Sequence, residues 1–394
     1  MNVLNLSLAE TVGLSIVVIF VGKLLVSKIG FLRKFLIPYP IVGGLVFAII
    51  TLIGYETNTF TIELDTTLQQ YFMVCFFTTI GFQASIKVLK AGGIGVVIFL
   101  IISILLVICE DGVGVGLAHL LHQNDLLGLA TGSIPMVGGH GTAAAFGPLL
   151  EKLGLHSASE VSIAAATFGL IAGSLIGGPI ARKLILKHDL KSNDSDDTKH
   201  EEEKKTLLNT NNISLAFFQI ALAVGIGFYV SCGINKLGIT IPIYIGSMLV
   251  AAVMRNIFKD GSKLEMKIEE ISVLGDMFLA IFLAQALMGL KLWQLSNLAL
   301  PLIILLVVQV IIVALFAYFI VYKFMGKNYD ASVLAAGICG FGLGATPNAI
   351  ANMNAITSKF GNSIKAYFIL PLVGCLFIDF CNAGIITIFL QFIN

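Results

Sequence analysis

The sequence predicts an all-α integral membrane protein of two inverted-topology repeats, each with five transmembrane helices and a re-entrant hairpin. Three observations predict this fold: the apolar composition, the spacing of the apolar segments, and proline and glycine landmarks that recur in both halves. Of the 394 residues, 57% are hydrophobic and only 12% are charged, and the mean hydropathy is +0.95. Because a soluble domain carries about 25% charged residues, this composition predicts a membrane protein.

Ten segments are apolar enough to cross a hydrocarbon core of about 30 Å, which takes about 20 residues per helix. They are residues 7–27, 37–54, 70–88, 94–117, 161–186, 213–235, 239–258, 271–290, 297–322 and 364–391. Two further apolar stretches, 126–150 and 331–356, are interrupted by several glycines and by proline. We predict re-entrant hairpins there, because irregular backbone at membrane depth is tolerated only when buried in protein or lining a cavity.

The basic residues predict the orientation. With the N-terminus outside, 21 of the 24 Lys and Arg fall in cytoplasmic sections, and only Lys152, Lys236 and Lys291 fall outside. Since positive charge is retained in the cytoplasm, both termini are expected to be external, with the hairpins entering from opposite faces. The first apolar run, 8–26, lacks a basic segment before it and a small-residue cleavage site after it, so we expect a retained span.

Similar landmarks lie on either side of one long polar stretch. This stretch, 187–212, is predicted to be a disordered cytoplasmic linker, and it separates repeat 1 (1–186) from repeat 2 (213–394). The matching stretches are 37–44 with 239–246, 81–89 with 284–292, and 125–132 with 330–337. Five spans per half is an odd number, so the second half must be inverted relative to the first. Shared apolar composition is the alternative explanation, which the matching Pro, Gly, Asp and Thr landmarks disfavour.

Two glycine-rich segments, 134–142 and 340–348, occupy equivalent places in the two hairpins. Broken apolar segments at corresponding positions are typical of the binding site of a secondary transporter. Helix N-terminal ends at such breaks bind carboxylates without a buried arginine. The predicted substrate contacts are Gly138, Gly139, His140, Gly141, Thr142, Gly344, Ala345, Thr346, Pro347 and Asn348. The alternatives are that the glycines serve only helix packing and that His140 only holds its loop by a hydrogen bond.

Asp379 is the clearest carboxylate inside a span, and Asn382 follows three residues later on the same helical face. Intramembrane acids are costly and indicate an ion or proton site. Together with Thr346 and freed backbone carbonyls, the Asp379 and Asn382 side chains could provide the oxygen ligands of a Na+ site. The alternative for Asp379 is a structural hydrogen bond to a neighbouring loop. Weaker polar candidates, which either face the same cavity or join helices, are Thr79, Gln83, Gln285 and Asn352.

Other polar residues give little indication of chemistry. Glu110 and Asp111 lie near the outer end of the fourth span, where we expect them to be solvated. The six cysteines lie in apolar runs without metal-ligand spacing and are expected to be buried hydrophobes.

An aspartyl hydrolase needs two carboxylates at one site, and no second acid lies as deep as Asp379 in an opposing span. A passive channel is also disfavoured, and the net charge of +1 gives no indication of nucleic-acid binding.

Four motifs resemble those of the bacterial sodium/glutamate symporters, the glutamate:sodium symporter family. They are Gly138-Gly-His-Gly-Thr142, Gly289-Leu-Lys-Leu-Trp293, Gly326-Lys-Asn-Tyr-Asp330 and Gly340-Phe-Gly-Leu-Gly-Ala-Thr-Pro-Asn348 with the Ala-Ile-Ala-Asn-Met that follows. The resemblance covers nearly the whole chain and fails only in the linker. It implies import of L-glutamate across the bacterial inner membrane with Na+ as the co-transported ion, no organic cofactor, and a homodimer. The residues alone indicate only a transporter of a small anion, so a dicarboxylate stays the alternative substrate.

Overall fold

A computed structural model shows an almost entirely helical protein. It describes residues 2–35, 37–91, 93–192, 209–236, 243–258, 265–293 and 299–393. Among these residues, seven helices are long and apolar enough to cross a membrane, or eight if one bent helix pair counts as a single span. The prediction of a helical, multi-pass membrane protein is therefore confirmed, while ten spans, inverted repeats and re-entrant hairpins stay predictions.

The described residues of the first half form ten helices, and the first glycine-rich segment lies among them. They are α1 (Leu8–Lys28), α2 (Gly30–Lys34), α3 (Tyr39–Glu56), α4 (Thr67–Gln83), α5 (Ile86–Ala91), α6 (Gly93–Leu120), α7 (Leu126–Ala130), α8 (Ser133–Met136), α9 (Gly139–Lys152) and α10 (Ala158–His188). Two short strands that the sequence did not predict, β1 (Asn2–Asn5) and β2 (Phe60–Glu63), pair in parallel. A capping box begins α1: the Ser7 amide donates to the Glu10 carboxylate (2.8 Å), and the Ser7 hydroxyl accepts from the Glu10 amide (3.5 Å).

The described residues of the second half are also almost entirely helical. They are α11 (Thr210–Lys236), α12 (Ile243–Ile257), α13 (Ile268–Met288), α14 (Ala299–Leu315), a π-helix (Phe316–Val321), α15 (Tyr322–Phe324), α16 (Tyr329–Phe341), α17 (Thr346–Phe360), α18 (Ile364–Leu376) and α19 (Ile378–Ile393). Most of the predicted linker, residues 193–208, lies outside the described residues. Its outer ends are helical, since α10 runs to His188 and α11 begins at Thr210.

The chain forms two compact units. Unit 1 comprises Met1–Phe82, His140–Ala164 and Ile213–Leu300, and unit 2 comprises Gln83–Gly139, Ala165–Asn212 and Pro301–Asn394. Each unit takes segments from both halves of the chain. The division between them falls inside the first glycine-rich segment, between Gly139 and His140.

Glycines allow close helix packing in both units. In unit 1, a methyl carbon on Gly43 of α3 would lie 2.0 Å from the Val18 carbonyl oxygen of α1. In unit 2, a methyl carbon on Gly340 of α16 would lie 2.3 Å from the Ala349 amide nitrogen of α17. Both distances are far below van der Waals contact, so only glycine permits these backbones to approach. The core of unit 2 extends along the same helices and includes Phe99 and Phe341, whose ring centroids are 6.0 Å apart.

Candidate functional site

Both predicted hairpin stretches are interrupted helices in the structure. The stretch 126–150 contains α7, α8 and the start of α9, separated at Gly132 and Gly138. The stretch 331–356 contains most of α16 and α17, separated by residues 342–345. In each stretch, a helix of more than ten residues begins directly after a glycine-rich break.

The two glycine-rich segments meet within unit 2. Gly139, the first residue of α9, has a φ of +59°, which an L side chain rarely adopts. A methyl carbon on Gly139 would lie 2.9 Å from the carbonyl oxygen of Gly344. Gly344 lies two positions before Thr346, the first residue of α17. The first residue of α9 therefore lies beside the residues that lead into α17.

The N-terminal end of α17 is open to a ligand. Its N-cap residue, Ala345, supplies no side-chain hydrogen bond. Pro347 has no amide proton, and the Asn348 amide donates to the Ala345 carbonyl oxygen (3.0 Å), so the Thr346 amide is the first-turn donor left for a ligand among the described residues. The Thr346 hydroxyl donates to the carbonyl oxygen of Gly374 on α18 (2.9 Å), which leaves its oxygen lone pairs available. An uncapped helix N-terminus carries about half a positive charge, so this end of α17 suits a carboxylate.

Two asparagines join α17 to its neighbours. The Asn348 amide donates to the Leu170 carbonyl oxygen of α10 (2.9 Å). The Asn352 amide donates to the carbonyl oxygens of Gly173 on α10 (2.9 Å) and Ala336 on α16 (3.2 Å). The side-chain oxygen of Asn348 is buried without a partner among the described residues, so Asn348 retains an acceptor for a ligand while Asn352 is fully engaged as a donor.

Asp379 lies where the last predicted span bends. The segments Ile364–Gly374 and Ile378–Ile393 meet at 42°, and Asp379 is in the first turn of α19 directly after the bend. The Asp379 carboxylate is half-buried and has no hydrogen-bond partner in the described part of the chain. Because Thr346 bonds to Gly374 at the end of the preceding segment, the open end of α17 and Asp379 flank the same bend.

Asn382 is completely buried and contacts α8. Its amide donates to the Ser133 carbonyl oxygen (3.1 Å), and its side-chain oxygen has no partner among the described residues. Ser133 in turn donates its amide (2.8 Å) and hydroxyl (2.9 Å) to the Asp111 carboxylate of α6. Asp111 thereby fixes the break before α8, and Asn382 fixes α19 to the same break.

The expectation that Glu110 and Asp111 are solvated is wrong. Both side chains are 0% exposed, because α7, α8 and α19 pack against α6 at this level. The close approach requires glycine: a methyl carbon on Gly114 would lie 2.5 Å from the Gly128 carbonyl oxygen. Their position near the end of an apolar run therefore did not predict their exposure correctly. The sequence feature that indicates close packing here is Gly114, four residues after Glu110.

Glu110 differs from its neighbour in having no donor. Both its carboxyl oxygens are buried without a partner among the described residues. Its backbone oxygen accepts from the Gln309 amide of α14 (2.9 Å), and the Gln309 side-chain oxygen is also unpartnered. No pattern in the sequence indicates this buried Glu110–Gln309 contact, because its members are 199 positions apart.

We expect Glu110→Gln to leave thermal stability unchanged or raised, since an amide of the same shape adds the donors that this pocket lacks. Asp111→Ala is the matched comparison, because it strips Ser133 of two hydrogen bonds and is expected to destabilise by about 2 kcal/mol. Thermal unfolding of the purified variants in detergent measures both. A Glu110→Gln variant less stable than Asp111→Ala would contradict this account of the pocket.

The remaining predicted residues lie mostly in unit 1. His140 and Thr142, in the first turn of α9, are each 5% exposed. The Thr79 hydroxyl of α4 donates to the Phe76 carbonyl oxygen (2.7 Å), and Gln285 of α13 is buried with both amide atoms unpartnered among the described residues. Gln83, the last residue of α4, is half-buried and belongs to unit 2. Thr79 is thus engaged within its own helix, while Gln285 retains a donor and an acceptor for a ligand.

The amino-acid sequence matches one family of known proteins over most of its length. A model of the sodium/glutamate symporter family matches residues 4–362. The sodium/glutamate symporter of Escherichia coli (strain K12) is 42% identical over 383 residues, covering 95% of this chain and 94% of the relative. The sodium/glutamate symporter of Haemophilus influenzae is 38% identical over 393 residues, covering 98% and 97%. The family model therefore includes both glycine-rich segments, and the two relatives match nearly the whole chain.

Proposed function

The chain belongs to the sodium/glutamate symporter family, and on that premise we propose that it imports L-glutamate together with Na+. The family consists of transporters, which confirms the prediction of a transporter rather than an enzyme. The approach of Gly139 to Gly344 carries the proposal, because it places the glycine-rich ends of two interrupted helices side by side.

Glutamate is held at these helix ends. The N-terminal ends of α9 and α17 attract its carboxylates without a buried arginine. The glycines let the backbone approach the ligand closely, and Thr142, Thr346 and Asn348 supply side-chain hydrogen bonds. The contacts are Gly138, Gly139, His140, Gly141, Thr142, Gly344, Ala345, Thr346, Pro347 and Asn348.

Sodium binds at the bend that follows α18. The Asp379 carboxylate supplies the negative charge. The side-chain oxygen of Asn382, which has no partner among the described residues, and the Thr346 hydroxyl supply neutral ligands. A hard cation prefers such oxygen ligands to nitrogen or sulfur. Since Thr346 belongs to both sets of residues, it connects the glutamate site with the sodium site. Secondary polar contacts come from Thr79, Gln83, Gln285 and Asn352.

Transport proceeds by alternating access in an inverted-repeat framework. Repeats 1–186 and 213–394 each provide five spans and a re-entrant hairpin, 126–150 and 331–356, and the polar stretch between the repeats joins them on the cytoplasmic side. The protein is a homodimer of the bacterial inner membrane with both termini external. Coupling requires that Na+ and glutamate each tighten the binding of the other, so that neither is transported efficiently alone.

Uptake of labelled glutamate by proteoliposomes tests this function. We expect an inward Na+ gradient to raise the initial rate at least about 5-fold over a choline gradient, the lower range of ordinary coupling energies. Equal rates in the two gradients would exclude sodium coupling. Competition by aspartate, citrate and malate in the same vesicles distinguishes glutamate from the alternative substrate class, other small carboxylates, because a dicarboxylate carrier is inhibited most by malate.

A further inference from the structure

A basic groove separates α10 from α17 in unit 2. It encloses about 530 Å³, and its lining includes Pro179, Arg182, Lys183 and Leu186 of α10 and Ile356 and Lys359 of α17. None of the described residues that line it is acidic. Neither the glutamate site nor the sodium site proposed above uses any of these side chains.

The groove arises because two helices that cross closely then separate. A methyl carbon on Gly177 would lie 2.3 Å from the side-chain nitrogen of Asn352, so α10 and α17 are in contact at that level. The next residue, Gly178, lines the groove, and a methyl carbon there would meet no described atom within 4 Å. The space between the helices therefore opens toward Arg182 and Lys359, one to two turns beyond the crossing.

The cations of the groove have no anionic partner in the part of the chain that the structure describes. Lys183 lies 5.5 Å over the ring of Tyr318, an arrangement that orients the ammonium group without neutralising it. Arg182 and Lys359 are exposed, and neither forms an ion pair with a described residue. Arginine is the side chain best suited to phosphate, which its planar group binds through two parallel hydrogen bonds.

The surface beside the groove is apolar and faces outward. Phe168, Leu175 and Leu186 of α10 are 36%, 56% and 61% exposed. Their spacings of seven and eleven residues place all three on one face of the helix. Arg182 lies near the end of this face, at the predicted cytoplasmic end of the span. An apolar outward face that leads to clustered cations matches both parts of a phospholipid.

We propose that this groove binds the headgroup of an anionic phospholipid. Arg182 and Lys359 bind the phosphate from the two sides of the groove, Lys183 adds a third positive charge, and an acyl chain lies along Leu175 and Phe168. Basic pockets between helices on the cytoplasmic side are a recognised setting for such headgroups. The site requires only that these helices lie in a bilayer, so it is independent of the transported solute.

Lipid binding by the full chain in detergent tests the site in the absence of glutamate and Na+. Native mass spectrometry with dioleoylphosphatidylglycerol gives the affinity, and dioleoylphosphatidylcholine serves as the neutral comparison. We expect Arg182→Gln combined with Lys359→Gln to weaken phosphatidylglycerol binding about 30-fold, with little change for phosphatidylcholine. Lys23→Gln with Lys28→Gln removes two exposed cations elsewhere and is expected to bind like the parent chain.

Charge-preserving and single variants distinguish a loss of lipid binding at the groove from a general folding defect. Arg182→Lys with Lys359→Arg is expected to retain binding within about 3-fold, and each single Gln variant to lose about 5-fold. Equal affinity of the parent and the Gln variants would overturn the proposal. So would inorganic phosphate that displaced the phospholipid at equal concentration, because the groove would then select a free anion. Neither result depends on glutamate transport, so the proposed function is tested separately.

Discussion

Gly139→Ala is expected to lower the initial rate of glutamate uptake at least about 10-fold while the protein still folds and inserts. A side chain at a φ of +59° costs about 1–2 kcal/mol. The added methyl carbon also lies 2.9 Å from the Gly344 carbonyl oxygen, and a backbone oxygen cannot rotate aside as a flexible side chain can. The junction of the two glycine-rich segments must therefore shift, and with it the helix ends that hold glutamate.

Gly93→Ala separates the two causes. Gly93 also has a left-handed backbone, with φ at +69°, but a methyl carbon there meets nothing described within 4 Å. It carries the same conformational cost without the contact, so we expect its uptake within about 3-fold of the parent chain. Both variants are assayed in proteoliposomes at equal protein content. Equal loss in the two variants would show that the approach of Gly139 to Gly344 does not matter for transport.

Asp379→Asn is expected to raise the Na+ concentration for half-maximal uptake about 100-fold. Removing one partner of a buried charge interaction costs about 3 kcal/mol, which corresponds to that factor. The substitution preserves shape, and since Asp379 makes no hydrogen bond to a described residue, no structural contact is lost with the charge. A Na+ titration of uptake at saturating glutamate measures the effect.

Asp65→Asn is the comparison for this variant. Asp65 lies in the loop between β2 and α4, where its carboxylate accepts from the Thr67 amide (2.8 Å). Neutralising it changes the net charge by the same amount in unit 1, whereas the residues of the proposed sodium site belong to unit 2, so its Na+ titration should match the parent chain. An Asp379→Asn variant with the same titration as Asp65→Asn would remove Asp379 from the sodium site.

The local breaks of this protein could be predicted from its sequence. Glycine and proline disrupt helices through their own backbone properties, so residues 126–150 and 331–356 showed interruptions without any knowledge of their partners. The position of Asp379 inside an apolar span was visible in the same way. The structure adds that this residue follows a bend of 42°, which Pro371 of α18 indicates only loosely.

Contacts between distant positions could not be predicted in this way. The approach of Gly139 to Gly344 joins residues about 200 positions apart, and Asn382 contacts Ser133 across 249 positions. Glu110 and Asp111 were assigned to the wrong environment because their burial depends on α7, α8 and α19, which hydropathy along α6 does not describe. The pairing of β1 with β2 depends likewise on a neighbour more than fifty residues away. Periodicity indicates which face of a helix is apolar, but not what covers it.

A structure of this protein determined with glutamate and Na+ bound decides whether the glycine-rich segments form the transport site. We expect the glutamate carboxylates to lie within hydrogen-bond distance of the N-terminal ends of α9 and α17. Thr142 or Thr346 should contact the ligand, and Na+ should lie against Asp379 and Asn382. Glutamate bound with both Thr142 and Thr346 distant from it would contradict the assignment of the glycine-rich segments as the transport site.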